Sequence, residues 1–273
     1  MTADLHNHSY YSDGSLAPAQ VAALAKAKGL DVVALSDHDT VAGVPEMLDA
    51  CRKLHIACVP AVEISSYDLD GDVHILGLNV DITDSRFLRL LGEMKAARTA
   101  RMREMLALLA KHGMPLPFDR AAAFARGTMA RGHIAQALVA AGYEKSIADC
   151  FQKWLHADRP CYVANHQITP AETIDAIHAA GGLAVLAHPV RMRKSDETHA
   201  AFVSALTAAG LDGIEADYRD STPERIAFFR RLAAENGLFV TPGSDFHDPD
   251  RSAMRAWPLD PAAAKALLLL EKK

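Results

Sequence analysis

The sequence predicts an α/β protein, a parallel sheet or barrel interrupted by an all-helical insertion. Three observations predict it. Residues 1–84 alternate short apolar runs with helical spacing. Residues 85–159 keep helical spacing and offer no convincing strand. After Pro160 the alternation returns. The barrel therefore comprises 1–84 and 160–273, and the insertion 85–159.

Taken in order, residues 3–8 form a short extended opening. Val21, Leu24, Ala25 and Ala27 follow helical spacing, and Gly29 supplies the stop. Residues 30–36 read as a buried strand and 44–54 as a second helix. Two more strands, 56–65 and 72–80, are joined across Asp70-Gly71. The helical pattern of 84–112 is rich in Leu, Met, Ala and Arg and breaks at Pro115 and Pro117. Residues 118–156 hold three further short helical patterns. Helices over 170–180, 196–209 and 223–236 then alternate with strands over 183–187, 213–216 and 238–241.

Composition narrows the function class. Of 273 residues, half are hydrophobic and 23% charged, which excludes global disorder. Lys and Arg total 29 against 34 Asp and Glu, a formal charge of −5, so the chain does not coat nucleic acid by bulk charge. No apolar run approaches the roughly 18 residues that span a bilayer, and the opening residues lack a secretory pattern. A soluble, cytoplasmic protein is expected, with no membrane association and no obligate protein partner evident. Cys51, Cys58, Cys150 and Cys161 form no CxxC pair and are expected to be reduced thiols.

The chemistry sits at strand ends. His6-Asn7-His8 closes the first strand, Asp37-His38-Asp39 the second and Glu63 the third. His74 lies in the fourth, His188 ends 183–187, and Asp245 and His247 follow 238–241. The carboxyl ends of parallel strands form the active face of barrels and open α/β sheets. One histidine there is usually a hydrogen-bonded core or surface group, but so many converging is hard to ascribe to chance. Imidazoles mixed with carboxylates, without thiolates, suit Mn²⁺, Zn²⁺ or Fe²⁺. So many candidates exceed one tetrahedral ion and suit two or three, with a carboxylate such as Glu63 bridging. His55, His112, His156, His178 and His199 lie in helical patterns and are expected at the surface; His166 stays undecided.

Asp4-Leu5-His6-Asn7-His8, Asp13-Gly14, Ser36-Asp37-His38-Asp39-Thr40, Val62-Glu63, Ala187-His188-Pro189 and Gly243-Ser244-Asp245-Phe246-His247 together resemble the motifs of the PHP (polymerase and histidinol phosphatase) family. The resemblance spans residues 4 to 247 in the family's order. It implies a distorted (β/α)7 TIM-like barrel with a trinuclear metal centre, most suited to Mn²⁺, and phosphoesterase activity. By that resemblance one ion takes His6, His8, Glu63 and Asp245; a second shares Glu63 and adds His74 and His188; a third takes Asp13, His38 and His247. The helical insertion resembles that of the stand-alone branch acting on nucleotides, whose members remove the 3′-phosphate of nucleoside 3′,5′-bisphosphates and in some cases trim RNA from its 5′ end.

The expected reaction is in-line attack on the phosphate by a metal-bridging hydroxide without a covalent phosphoenzyme. The group that protonates the leaving oxygen stays open between a coordinated water and a histidine not fully engaged. A second phosphate needs non-metal donors. Arg131-Gly132-His133 at a helix start and Arg191, three residues beyond His188, are the candidates. Arg86, Arg89, Arg98, Arg101 and Arg103 are expected on a solvated helix face, or along an RNA chain if RNA is a substrate. The alternatives are a histidinol phosphatase of the same family and a non-catalytic nucleotide-binding or polymerase-accessory module.

Overall fold

The computed structural model describes residues 1–68, 71–125, 127, 129–164, 168–192, 194–250 and 252–270, with backbone only for 268–270. His166 lies outside the described residues. The strands are β1 (Thr2–Asp4), β2 (Val32–Leu35), β3 (Ala57–Asp68), β4 (Gly71–Leu78), β5 (Leu183–Leu186), β6 (Gly213–Tyr218), β7 (Phe239–Gly243) and β8 (Trp257–Pro258). They form one sheet ordered β7-β6-β5-β4-β3-β2-β1-β8. The sheet curls until β1 meets β7: the Leu5 N–H donates to Pro242 O at 3.0 Å and the His8 N–H to Phe246 O at 2.8 Å. Seven strands thus ring a barrel, and β8 lies antiparallel beside the start of β1.

The barrel is not wholly parallel, as the sequence alternation had implied. β4 runs antiparallel to both β3 and β5, with Ser65 opposite His74 and Ile75 opposite Leu186. β3 also extends past the expected end at 65, so Glu63 sits within the strand rather than closing it. The reason is the short link between the two strands, which leaves no room for a crossover helix and forces a hairpin. Because β4 is reversed, the early residue His74 lies at the same end of the barrel as the carboxyl ends of its parallel neighbours. β8 and the last helix were not anticipated, since neither carries a motif or a clear period.

Ten helices are described: α1 (Pro18–Ala27), α2 (Val44–Leu54), α3 (Ser85–Lys111), α4 (Phe118–Ala122), α5 (Arg131–Ala140), α6 (Ile147–Cys150), α7 (Pro170–Ala179), α8 (Asp196–Ala208), α9 (Pro223–Glu235) and α10 (Pro261–Leu270). Their starts follow capping chemistry. Asp84 accepts the N–H groups of Arg86 and Phe87 ahead of α3, and Thr169 with Glu172 makes a reciprocal capping box at α7. A π turn, Phe151–Leu155, extends α6.

Alternation along the strands sorts the core. Val32, Ala34, Val59, Ala61, Leu76, Leu78, Val185 and Ala187 form one buried cluster, closed by Leu267 of α10. Val33 and Leu35, facing the other way, pack against Val21, Ala25 and Met47 of α1 and α2. The helical block has its own cluster around Met102, Met105, Leu109, Ile134 and Leu138. α3 serves both: Phe87, Leu91 and Met94 join the barrel side, and its later residues join the helical block. At the contact between the two, a Cβ on Gly127 would stand 1.9 Å from Tyr11 O, so only glycine permits that approach. Of the five histidines expected at the surface, His199 is instead buried, with Nε2 3.0 Å from Pro189 O and its ring against Phe229.

Candidate metal centre

Nine side chains from seven chain segments meet at the carboxyl end of the barrel. Among the described residues, three groups of donors lie within 4.8 Å of one another: His6, His8, Glu63 and Asp245; His8, Asp13, His38 and His247; and His38, Glu63 and His74. The first equals the set expected for one ion. The second adds His8 to the expected Asp13, His38 and His247. In the third, His38 stands with Glu63 and His74. His188, expected there, reaches the same carboxylate, with Nε2 3.0 Å from Glu63 Oε1.

Glu63 lies at the middle. Its Oε2 is 3.4 Å from His6 Nε2, 3.3 Å from His8 Nε2 and 2.9 Å from His38 Nδ1. Its Oε1 is 2.8 Å from His74 Nδ1 and 3.0 Å from His188 Nε2. Asp13 Oδ1 lies 3.1 Å from His247 Nε2, and Asp245 Oδ1 lies 3.3 Å from His8 Nε2.

These donors fit divalent cations by their own geometry. Asp13 Oδ1, His38 Nδ1 and Glu63 Oε2 are buried and make no hydrogen bond, although the last two are only 2.9 Å apart. Buried polar atoms left this way are costly. Lone pairs that converge without being aligned on each other are what a cation between them satisfies. The donor set, imidazole nitrogen and carboxylate oxygen without sulfur, agrees.

A second layer of contacts orients the first. Glu215, buried in β6, places Oε1 2.9 Å from His6 Nδ1 and accepts the His188 N–H on Oε2 at 2.6 Å. That fixes which His6 nitrogen faces the cluster. Gly243 makes room for it, since a Cβ there would lie 1.7 Å from Glu215 Oε1. Asp245 Oδ2 accepts from the Tyr218 hydroxyl and from Arg191 Nη1, both at 2.9 Å, leaving Oδ1 for the cluster. Asp37 accepts from the Ser9 N–H and from the Ser9 and Ser12 hydroxyls, anchoring the segment that presents His8 and Asp13. Asp39, His188 and Asp245 all hold positive φ, at 52°, 29° and 50°. Strain of this kind collects where a site is over-determined by its surroundings.

The electrostatics follow from packing acids against imidazoles out of water. Burial opposes charge on Glu63, but His38, His74 and His6 outweigh it and hold its carboxyl well below the ordinary range. Burial likewise opposes charge on His247, yet Asp13 and Asp245 push its pKa up to about 9. His8 goes the other way, to about 3, because burial is joined by the neighbouring His247 cation. The carboxylates are thus ready as anionic ligands across the neutral range.

The cluster floors a cavity of about 520 Å³. Arg131, His133 and Arg191, the expected substrate contacts, all line it. Arg131 bonds Asp72 at 3.1 Å, and His133 Nδ1 accepts the Ala130 N–H at the start of α5. Arg98 and Arg101 were expected on a solvated face; instead both line this cavity, because α3 packs against both the barrel and the helical block. Arg98 pairs with Asp39 and Ser65, and Arg101 is buried. Glu215, Tyr218, Arg98 and Arg219 were missed. The one signal for Glu215 is an acid within the apolar run Gly213-Ile214-Glu215-Ala216; helix spacing hides Arg98, and Arg219 sits in the turn after β6 with no pattern to mark it.

The family model for the PHP domain matches residues 4–159. The chain belongs to the PHP family. Its curated PHP relatives include a 5′-3′ exoribonuclease of Haemophilus influenzae, 36% identical over 90% of each chain. A 3′,5′-nucleoside bisphosphate phosphatase of Chromobacterium violaceum is 33% identical over 90% of this chain and 87% of its own. Among solved structures, an amidohydrolase from Chromobacterium violaceum with bound sulfate superposes with a TM-score of 0.91 at 30% identity, covering 99% of this chain and 97% of that one. A proposed metal-dependent phosphoesterase from Bifidobacterium adolescentis gives 0.87 at 32% identity, over 98% and 96%. The distorted PHP barrel with its helical block is therefore shared along nearly the whole chain. No described helix is long and apolar enough to cross a membrane.

Proposed function

We propose that this PHP-family phosphoesterase hydrolyses the 3′-phosphate of nucleoside 3′,5′-bisphosphates to a nucleoside 5′-monophosphate, such as AMP, and phosphate, and also trims short RNA from the 5′ end. The observation that carries it is the pairing of one cation-binding floor with guanidinium-bearing walls in a single cavity of mononucleotide size. The names of the Haemophilus and Chromobacterium relatives support the same substrate class.

His6, His8, Asp13, His38, Glu63, His74, His188, Asp245 and His247 are the proposed ligands of two or three divalent ions. Nitrogen and oxygen donors admit manganese, zinc or iron(II), and manganese is taken first from the family resemblance. Such ions lower the pKa of water toward 7 and neutralise charge on phosphate oxygens. The residues themselves set the geometry. Glu63 presents one oxygen to His6, His8 and His38 and the other to His74 and His188, so it is placed to bridge. Glu215 and Tyr218 hold His6 and Asp245 in their orientations. Residues 85–159 act as an insertion bringing Arg131 and His133 over the floor, where they and Arg191 meet the substrate's phosphates; 1–84 and 160–273 make the barrel.

The test is release of phosphate from adenosine 3′,5′-bisphosphate, of nucleoside 5′-monophosphates from 5′-phosphorylated RNA oligomers and of phosphate from histidinol phosphate by the manganese-loaded protein. Turnover of the first two and not the third is expected. Preference for histidinol phosphate moves the protein to the other catalytic branch, and no turnover of any ester leaves a binding module. Replacing Arg131 with Ala should raise KM for the bisphosphate more than for an aryl phosphate; equal effects remove Arg131 from the second-phosphate role.

A further inference from the structure

Five guanidinium groups line the cavity: Arg98, Arg101, Arg131, Arg191 and Arg219. Four have a carboxylate partner, namely Asp39 for Arg98, Asp72 for Arg131, and Asp245 for both Arg191 and Arg219. Arg101 has none within ion-pair distance among the described residues. It is also the most enclosed of them, only 8% exposed. Its Nε donates to Val163 O at 2.6 Å, and its guanidinium lies 5.3 Å from the centre of the Tyr162 ring. Its Nη2 is buried and has no hydrogen-bond partner among the described residues.

A buried charge without a counter-ion is strongly unfavourable and persists where a ligand completes it. Arg101 is moreover held in place by the Val163 carbonyl and the Tyr162 face, so its free edge is pre-aimed. Arg131, 5.5 Å from the centre of the same Tyr162 ring, is already tied to Asp72. Counted together, the five arginines outnumber their three carboxylate partners, so this wall carries an excess of positive charge.

We infer that Arg101 is the anchor for the substrate's distal anion, the phosphate monoester at the 5′ position of the nucleotide, and so sets the preference for 5′-phosphorylated substrates. This rests on the proposed function for the identity of the substrate, and it adds a helix α3 residue to Arg131, whose charge Asp72 partly offsets, at the second phosphate. The second oxygen of Asp72, Oδ1, is also buried without a partner on this wall, and it is available to accept a ligand hydroxyl beside the phosphate.

The experiment uses the manganese-loaded full chain and p-nitrophenyl phosphate as reporter substrate. Adenosine 3′,5′-bisphosphate and adenosine 3′-monophosphate compete with the reporter, and the ratio of their inhibition constants reports the 5′-phosphate whether or not either is turned over. A charge-assisted hydrogen bond of ordinary strength makes that ratio roughly 10 to 100 in the native protein. In Arg101→Gln it should fall to within about threefold, with reporter kcat unchanged within about twofold. A native ratio near one, or an undiminished ratio in Arg101→Gln, overturns the inference. Should Arg101→Gln not fold, Arg101→Lys decides: an ammonium cannot keep both the Val163 bond and the fork to phosphate, so the ratio should drop at least about threefold, and an unchanged ratio counts against it. Tight bisphosphate binding through Arg101 without its hydrolysis would leave this inference standing and remove the proposed function. The same ratio for 5′-phosphorylated and 5′-hydroxyl dinucleotides tells a mononucleotide phosphate from an RNA 5′ end.

Discussion

Glu63 concentrates the chemistry in one side chain, because five imidazoles approach its two oxygens from opposite sides. Glu63→Ala should abolish phosphate release and cut metal content by at least one ion per chain. Elemental analysis checks this, and unchanged metal content would contradict the assignment. Glu215 acts at one remove. Removing an outer partner of a ligating histidine weakens metal binding by roughly 10 to 100-fold. Glu215→Gln keeps the shape and one acceptor, so the chain should fold with a near-native melting temperature while its metal affinity falls by that factor in a chelator competition. His6 was legible as a ligand from its place at a strand end beside His8. Glu215 was not, because nothing in a sequence says which strand faces which across a barrel.

At the scale of elements, β4 decides the site. A one-residue shift or a parallel β4 would carry His74 away from Glu63, and the hairpin pairing of Ser65 with His74 prevents it. Alternation and turn signals showed where β3 and β4 lie, but periodicity is the same for either strand direction. α3 shows the same blindness in helices. Its spacing revealed an amphipathic helix and hid that the helix has two buried neighbours, so Arg98 and Arg101 read as solvated when they face the cavity. Because the helical block has a separate core, Met105→Ala should destabilise by about 2–5 kcal/mol, the usual range for a fully buried methionine. The metal content of the folded fraction should not change. Thermal melting with metal analysis measures both; loss of metal in the folded protein would show that the helical core and the cluster are coupled.

For the whole molecule, charge arithmetic and pH come into play. The −5 formal charge coexists with a guanidinium-walled cavity, so anion binding here is local. His133 offers a pH probe that is not itself among the proposed ligands, although Asp13 and His38 act on it from the cluster. Burial lowers its pKa from the ordinary 6.5, and its Nδ1 accepts the Ala130 N–H, which requires the neutral ring. Below pH 6.5 the unfolded chain takes up a proton that the native His133 refuses, so stability falls as pH drops, by at most about 1.4 kcal/mol per unit for this one group. Above 6.5 both forms are neutral and the contribution vanishes. His133→Gln should flatten the stability profile between about pH 6.5 and 5 relative to the native chain; denaturant melts at stepped pH measure it, and an identical slope would mean that His133 is charged in the native state.

Most of the strand and helix order, the helical block and most of the donors near strand ends were legible in residue spacing, β8 and α10 apart, since hydrophobic period and residue type are local properties of the chain. Which donors gather into groups, the reversal of β4, the Glu215 support beneath His6 and the enclosure of Arg101 were decided by the closed barrel and the helices packed on it. Those depend on side chains far apart in the chain, 209 residues between His6 and Glu215, and no local pattern records a contact at that range.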